Sequence, residues 1–419
     1  MSFAAKLKTK LAPSLFTEMD FFYEKVLFVL FAVICGGFFI FDTSLHRLFM
    51  YLALPICLGH LIHQRAWSQI TFKYLFWAMF TYLGFSVLSL AWSADLDAER
   101  IFQKSKLLVF IPVFTLSFGL MCKKYDSCFK HLMSFMCAVA SVSALFILFQ
   151  YVREYADTEK LSRMVGFNRT SNEVQLGMYF SIATLAALLL PKDIMLFRDK
   201  VWVKYSFVFL FVLTVFLSGS RGPLLALSAT IFLLMLLKKR FKTMFTVLMC
   251  VTVLGTTIWL SSSDTLSMQN RLDNGRLQIW TQAIEDVKEK LFLGYGVGAK
   301  LKYHVETKRK FYDTVLKWDV GHPHNLYLST LVTVGFAGYV FFLVLAMTSA
   351  LQGAFHAVVR AKFIPLAFVL FGGLVGFTDM GGYIINLSIE WLFFWIPIGL
   401  YIFTKPLSFT DFKKAYVKQ

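Results

Sequence analysis

Apolar residues fall along this chain in long unbroken runs divided by short polar stretches. The runs lie at 25–41, 45–62, 72–92, 107–121, 131–151, 174–190, 203–219, 223–237, 244–260, 326–350, 363–378 and 389–404. Each approaches the roughly 17–25 residues that an apolar helix needs to cross a bilayer. Twelve spanning helices are therefore predicted, the fourth short and the seventh and eighth separated by only a few residues. One long polar stretch, 261–325, breaks the pattern. Within it Leu277, Trp280, Ile284, Val287 and Leu291 recur at helical spacing near one face. They predict an amphipathic helix from Arg276 to Leu291 lying over the membrane surface, capped by Asn274 or Gly275 and ended by Gly294. Residues 299–321, basic and aromatic, read as a second, less regular piece.

Composition agrees with the pattern. The 419 residues are 58% hydrophobic and 16% charged, with mean hydropathy +0.64, whereas a soluble domain carries about 25% charged residues. The fold class is an all-α polytopic membrane protein, a single integral membrane domain over 1–419. Lys6, Lys8 and Lys10 precede the first apolar run without a small-residue cleavage site after it, so that run reads as a retained helix. Four cysteines fall in apolar runs, and Cys122 and Cys128 share a short basic loop, which supports neither a disulfide framework nor zinc spacing.

Net charge changes the picture by giving an orientation. Lysine and arginine concentrate in one alternate set of short loops, including Lys123, Lys124, Lys238, Lys239 and Arg240. By the positive-inside rule both termini are expected in the cytoplasm. That places 93–106, 152–173, 218–222, 261–325 and 379–388 together on the outer side. The +17 charge then faces anionic lipid and does not argue for nucleic acid.

Candidate chemistry gathers on the outer face. Arg221, in Ser218-Gly-Ser-Arg-Gly-Pro223 between two apolar runs, offers a planar fork for phosphate; the plainer alternative is an arginine snorkelling to headgroups. Arg276 and Trp280, one helical turn apart, suggest a second phosphate clamp with an aromatic platform, or a solvated charge beside a lipid-anchoring tryptophan. His324 can accept a hydroxyl proton at neutral pH, unless His324 or Asn325 merely caps the helix that follows. With His322 it makes only two histidines at i, i+2, too few for a metal site without a third ligand. Asp95 and Asp97 could hold a divalent cation but read more simply as a loop turn. Asp379 and Glu390 suit ion pairing with the arginines, and Arg163 and Asn172 close another outer loop.

Taken together, Ser220-Arg221-Gly222, Asn274-Gly-Arg276 with Trp280, Leu293-Gly-Tyr-Gly-Val-Gly298, and His324-Asn-Leu-Tyr-Leu328 followed by Gly335-Phe-Ala-Gly338 resemble the O-antigen ligase/polymerase family of bacterial envelope enzymes. The resemblance covers about 160–345, read as the catalytic core region. It implies a fold related to the GT-C glycosyltransferases, a multi-pass inner-membrane location and an active periplasmic face. The implied donor is a glycan on undecaprenyl pyrophosphate, the ligase acceptor is the lipid A-core oligosaccharide, and no metal or other cofactor is required. By matching position, Arg221 and Arg276 would bind pyrophosphate and His324 would be the essential histidine; His322 matches a less regular position. His322, Asn325, Arg163, Asn172 and Trp280 are the accompanying substrate-binding candidates.

A ligase is the leading expectation because the 152–173 loop is short, whereas polymerases more often show two sizeable outer loops. A polymerase, a protein O-oligosaccharyltransferase and, in a different class, an anion or solute transporter remain the alternatives. Transport is disfavoured because neither inverted repeats nor broken helices are evident. A single displacement on the donor implies inversion at the anomeric carbon.

Overall fold

The computed structural model describes residues 22–93, 96–124, 127–159, 163–191, 201–239, 275–308, 315–384 and 387–418. The expected span at 244–260, Asn274 and Asp95 lie outside them. Helices α1 (22–37), α2 (Thr43–His63), α3 (Lys73–Leu88), α4 (Ala98–Lys124) and α5 (Cys128–Thr158) come first. They are followed by α6 (Glu173–Leu189), α7 (Val201–Leu217) and α8 (Arg221–Leu237). After the polar segment come α10 (Leu326–Arg360), α11 (Phe363–Val375), α12 (Ile396–Ile402), entered through a π turn at Trp391–Trp395, and α13 (Phe409–Lys418).

Every expected span within the described residues coincides with a helix. Five helical stretches, Thr43–His63, Lys73–Trp92, Ala98–Lys124, Cys128–Thr158 and Leu326–Arg360, are long and apolar enough to cross a bilayer. The fourth is longer than expected. α4 begins at Ala98 because Asp97 accepts a hydrogen bond from the Arg100 N–H at 2.7 Å, so a capped polar turn extends the apolar run. The shorter α6 is buried on nearly every side, between α5, α7 and α8, as expected of a helix apolar all round. Cys122 and Cys128 are free thiols.

The described parts of the polar segment, 275–308 and 315–325, hold more regular structure than its sequence suggested. Helix α9 (Arg276–Glu289) packs on a hairpin of β1 (Tyr303–Lys308) and β2 (Val315–Val320), paired antiparallel with Tyr303 opposite Val320 and Lys308 opposite Val315. The piece expected to be less regular thus contributes two paired strands. The buried face of α9 also differs from the expected one. Ile279 and Ala283 are 2% and 0% exposed, whereas Leu277 and Ile284 are 62% and 44% exposed. The small Ala283 was not counted as apolar patterning, yet it lets Tyr303 and Val305 approach the helix in one cluster with Val332 of α10.

Gln278 and Gln282, one turn apart on α9, bind the free edge of β1. Each amide donates to and accepts from one strand residue, Gln278 with Glu306 at 3.0 Å both ways and Gln282 with His304 at 2.8 and 2.9 Å. Side chains thereby satisfy backbone groups that an open sheet edge leaves unpaired.

A close backbone contact ties this unit to the membrane helices. Gly335 interrupts α10 with φ 62°. There Tyr295 and Gly296 donate to the carbonyls of Val332 and Thr333, and Phe336 and Ala337 donate to those of Leu291 and Phe292. A Cβ on Gly294 would lie 2.5 Å from the Gly335 nitrogen, so only glycine permits the approach. The same turn reaches the segment just after α3, where Val297 and Gly298 donate to the Ser89 and Ser93 hydroxyls.

Candidate functional site

The first turns of α8, α9 and α10 meet at one end of the bundle, against the segment after α11. Each begins in a polar connection that a helical or strand pattern could not absorb. At α8 the chain turns through Gly219 with φ 64°, and Arg221 stands exposed in the first helical turn. Its guanidinium makes no hydrogen bond or ion pair among the described residues.

Arg163 holds this turn from behind. Its Nε donates to the Ser218 carbonyl at 3.1 Å, its Nη2 to the Ser220 hydroxyl at 3.2 Å, and its Nη1 lies 3.6 Å from Glu173. The fork of Arg163 is thus spent on the backbone that presents Arg221. Asn172 is likewise engaged, as the N-cap of α6, its side-chain oxygen accepting from Val174 and Gln175.

Asp379 is the hub. Its side chain is 5% exposed and accepts from Arg276 Nη2 at 2.5 Å. Burial raises its carboxyl above the ordinary carboxylate value, while the guanidiniums of Arg276 and Arg163 draw part of that back. It also abuts the N-terminus of α8, where a Cβ on Gly222 would lie 2.4 Å from its Oδ2. A carboxylate there meets the positive end of the helix dipole. The expectation that Asp379 pairs with an arginine holds, with Arg276 as partner.

The histidines enter from α10. Asn325 is the N-cap, its side chain accepting from Tyr327 and Leu328 at 3.0 and 3.1 Å. Capping therefore falls to Asn325 and leaves the His324 ring uncommitted to it. His324 sits at φ 50°, a left-handed conformation that costs a non-glycine residue about 1 kcal/mol or more. Its N–H donates to His322 Nδ1 at 3.2 Å, which puts the His322 proton on Nε2. Trp280 donates through Nε1 to the Pro323 carbonyl at 3.0 Å, so the tryptophan clamps the His-Pro-His backbone onto α9.

Both rings are held neutral near pH 7. Burial, and then the neighbouring His324, push His322 down to about 4. Burial first, and the Arg276 charge second, lower His324 from the ordinary histidine value. An unprotonated imidazole beside guanidiniums can take a proton from a hydroxyl while the guanidiniums hold an anion.

Arg276 thus acts on both Asp379 and His324, Arg163 also acts on Asp379, and Arg221 lies beside Gly222 at the helix start that Asp379 abuts. Asp97 belongs elsewhere, capping α4 and meeting Lys300 at 3.1 Å. Sequence reasoning missed Gly381, which packs on the His322 ring, and the bracing of Ser218 and Ser220 by Arg163. One signal was available: Gly376-Phe-Thr-Asp379-Met-Gly-Gly382 is a glycine-rich polar island between two apolar runs.

Comparison with known proteins adds two findings. Residues 206–343, from α7 through Arg221 and Arg276 to His324 and the first half of α10, match the family described as O-antigen ligase. The O-antigen ligase of Pseudomonas aeruginosa (strain PAO1) is 24% identical over 379 residues, covering 88% of each chain. Three helix starts present Arg221, Arg276 and His324 inside the matched stretch, and over that stretch the chain is similar to the O-antigen ligase family.

Proposed function

We propose that the protein transfers a glycan from undecaprenyl pyrophosphate to the lipid A-core oligosaccharide at the periplasmic face of the inner membrane, as an O-antigen ligase of the GT-C-related kind. The observation that carries this reading is the juxtaposition of a free arginine, a carboxylate-held arginine and a neutral, half-buried histidine at one end of a membrane bundle. A lipid-linked donor suits a face where no nucleotide sugar is available.

In this reading the acceptor hydroxyl oxygen attacks the anomeric carbon of the donor. The glycosyl C–O bond breaks and its electron pair leaves with the pyrophosphate. His324 takes the hydroxyl proton. Arg221 and Arg276 face the negative charge that grows on the leaving phosphate, the kind of preorganised stabilisation that is commonly the largest catalytic contribution. Asp379 fixes Arg276 through one Nη and leaves its other donors for phosphate. Arg163 acts on the Arg221 turn, and Trp280 and His322 act on His324. One displacement on the face opposite the leaving group inverts the anomeric centre.

The test is an envelope glycolipid gel on a deletion strain complemented with the wild type or with His324→Ala. A ligase is expected to leave the lipid core bare while lipid-linked polymer accumulates, and His324→Ala should reproduce that. A core bearing a single repeat unit would instead indicate a polymerase. An unchanged ladder would overturn the reading.

A further inference from the structure

The last turns of α5 carry a hydrogen-bonding face that takes no part in the site described above. The helix has 31 residues, a length of about 46 Å, whereas the hydrocarbon layer is only about 30 Å thick. Its uncharged stretch ends at Phe149, and Gln150, Arg153, Glu154 and Asp157 follow at i, i+3, i+4 and i+7. That spacing sets the four residues in one stripe of the helix, beyond the part that the bilayer needs.

The following loop closes over this stripe. Phe167 meets Phe146 of α5 edge to face, with ring centroids 5.5 Å apart. A Cβ on Gly166 would lie 3.0 Å from Ile147 Cδ1 and 2.1 Å from Thr170 Oγ1, so the missing side chain lets the loop backbone lie close against the helix. Between helix and loop is a cleft of about 420 Å³, lined by the stripe, by Tyr151 and Thr158, and by Val165 and Gly166. Small-molecule sites have this size. A solvated helix end would show the same charges but would not need the wall.

Much of the lining is uncommitted. Among the described residues the Gln150 amide, the Glu154 carboxylate and the backbone N–H and C=O of Val165 make no hydrogen bond. Arg153 and Asp157 approach only to 3.9 Å, with side chains 75% and 70% exposed, a pair that contributes little and can exchange partners. The cleft thus offers an amide, a guanidinium and two carboxylates beside one tyrosine ring. Two carboxylates against one guanidinium disfavour a phosphate, and an apolar ligand would strand the polar groups. Neighbouring hydroxyls of a sugar, each both donor and acceptor, suit such planar groups.

The cleft lies at the same end of the bundle as Arg221. Its wall residue Val165 follows Met164, whose N–H donates to the Leu217 carbonyl at 3.0 Å, and Arg163, which holds Ser218 and Ser220. We infer that it is a glycan subsite, holding a sugar of the donor or the acceptor away from the reacting atoms, on the ligase reading of the site. Contacts made equally in the ground and transition states lower KM and leave kcat unchanged.

The test compares wild type with the double variant Gln150→Ala, Glu154→Ala in proteoliposomes, varying donor and acceptor in turn. Both residues are exposed, so normal membrane abundance is expected. The variant should raise KM for one glycan substrate about tenfold, with kcat within about twofold. A rise in acceptor KM assigns the cleft to the acceptor, and a rise in donor KM assigns it to the donor glycan. Wild-type KM for both, with or without a loss of kcat, would overturn the subsite. Saturation-transfer NMR with deacylated core oligosaccharide and with delipidated donor glycan reads the cleft without turnover. A signal from either probe that weakens in the variant supports the subsite, and equal signals from both proteins refute it. His324→Ala separates the two levels: transfer at the wild-type rate there sinks the site reading, while the NMR signals still decide the cleft.

Discussion

The starts of α8 and α10 solve one problem in two ways. Both place a candidate side chain at a helix N-terminus beside or on a left-handed residue, Gly219 in one and His324 itself in the other. At α8 the proposed phosphate ligand, Arg221, is left exposed while a second arginine, Arg163, consumes its own fork on the turn behind it. At α10 the proposed base, His324, is half-buried and braced by Trp280, His322 and the Asn325 cap. The difference follows from the chemistry proposed for each. A guanidinium stays charged at any working pH and needs only orientation. An imidazole must stay neutral to accept a proton, so it needs burial and a positive neighbour as well.

Breaking the α10 side should have the largest effect. His324→Ala is expected to lower transfer by about 100-fold to 10,000-fold at matched membrane abundance. Activity near wild type in a proteoliposome assay would remove the general base from the account. On the α8 side, Arg221→Lys keeps the charge but loses the fork, and a loss of about 100-fold is expected if two-point phosphate recognition operates. Full activity would reduce Arg221 to a headgroup contact.

The pH profile sharpens the comparison further. Because His324 titrates below the ordinary histidine value, its base form persists as pH falls through about 6.5, and rate should decline only below that. Arg276→Gln removes the second cause of the depression and should move the acid limb of kcat/KM to higher pH. A limb that stays in place or moves down would mean that Arg276 does not act on His324. Arg221→Lys should not move it at all. The sign for stability runs the same way: a histidine with a depressed folded value stabilises least where the unfolded chain binds the extra proton, so stability should fall as pH drops below about 6.5.

The smallest expected effect tests the bracing. Gln278→Ala with Gln282→Ala removes four hydrogen bonds between α9 and β1, each worth about 1 kcal/mol at most on an exposed edge. Increased protease cleavage within 299–321 is expected, with a few-fold loss of transfer. Unchanged cleavage would show that the Ile279–Ala283–Tyr303 packing holds the hairpin unaided.

The membrane helices were legible in the sequence because apolar length alone specifies them. Arg221, Arg276 and His324 could be singled out as candidates because charged and titratable groups are scarce near apolar runs. What the sequence hid was register and partnership. The buried face of α9 turns on Ala283, too small to register as patterning, and the hairpin at 303–320 lacks the two-residue turn that announces one. The division of labour between His324 and Asn325, where the sequence left capping open to either, depended on which side chain reaches the Tyr327 and Leu328 N–H groups. The pairing of Arg276 with Asp379 could be anticipated in kind, since a carboxylate in a polar island suits an arginine. Its particular partner depended on the backbone approach that Gly222 permits.

The most direct test of the central claim, that neutral His324 takes the acceptor proton beside two phosphate-facing arginines, is the single-turnover transfer rate of His324→Ala. It is measured with purified lipid-linked donor and lipid A-core acceptor in proteoliposomes. The account predicts donor binding within about twofold of wild type and a rate at least about 100-fold slower. A wild-type rate, or a loss confined to donor binding, would contradict it.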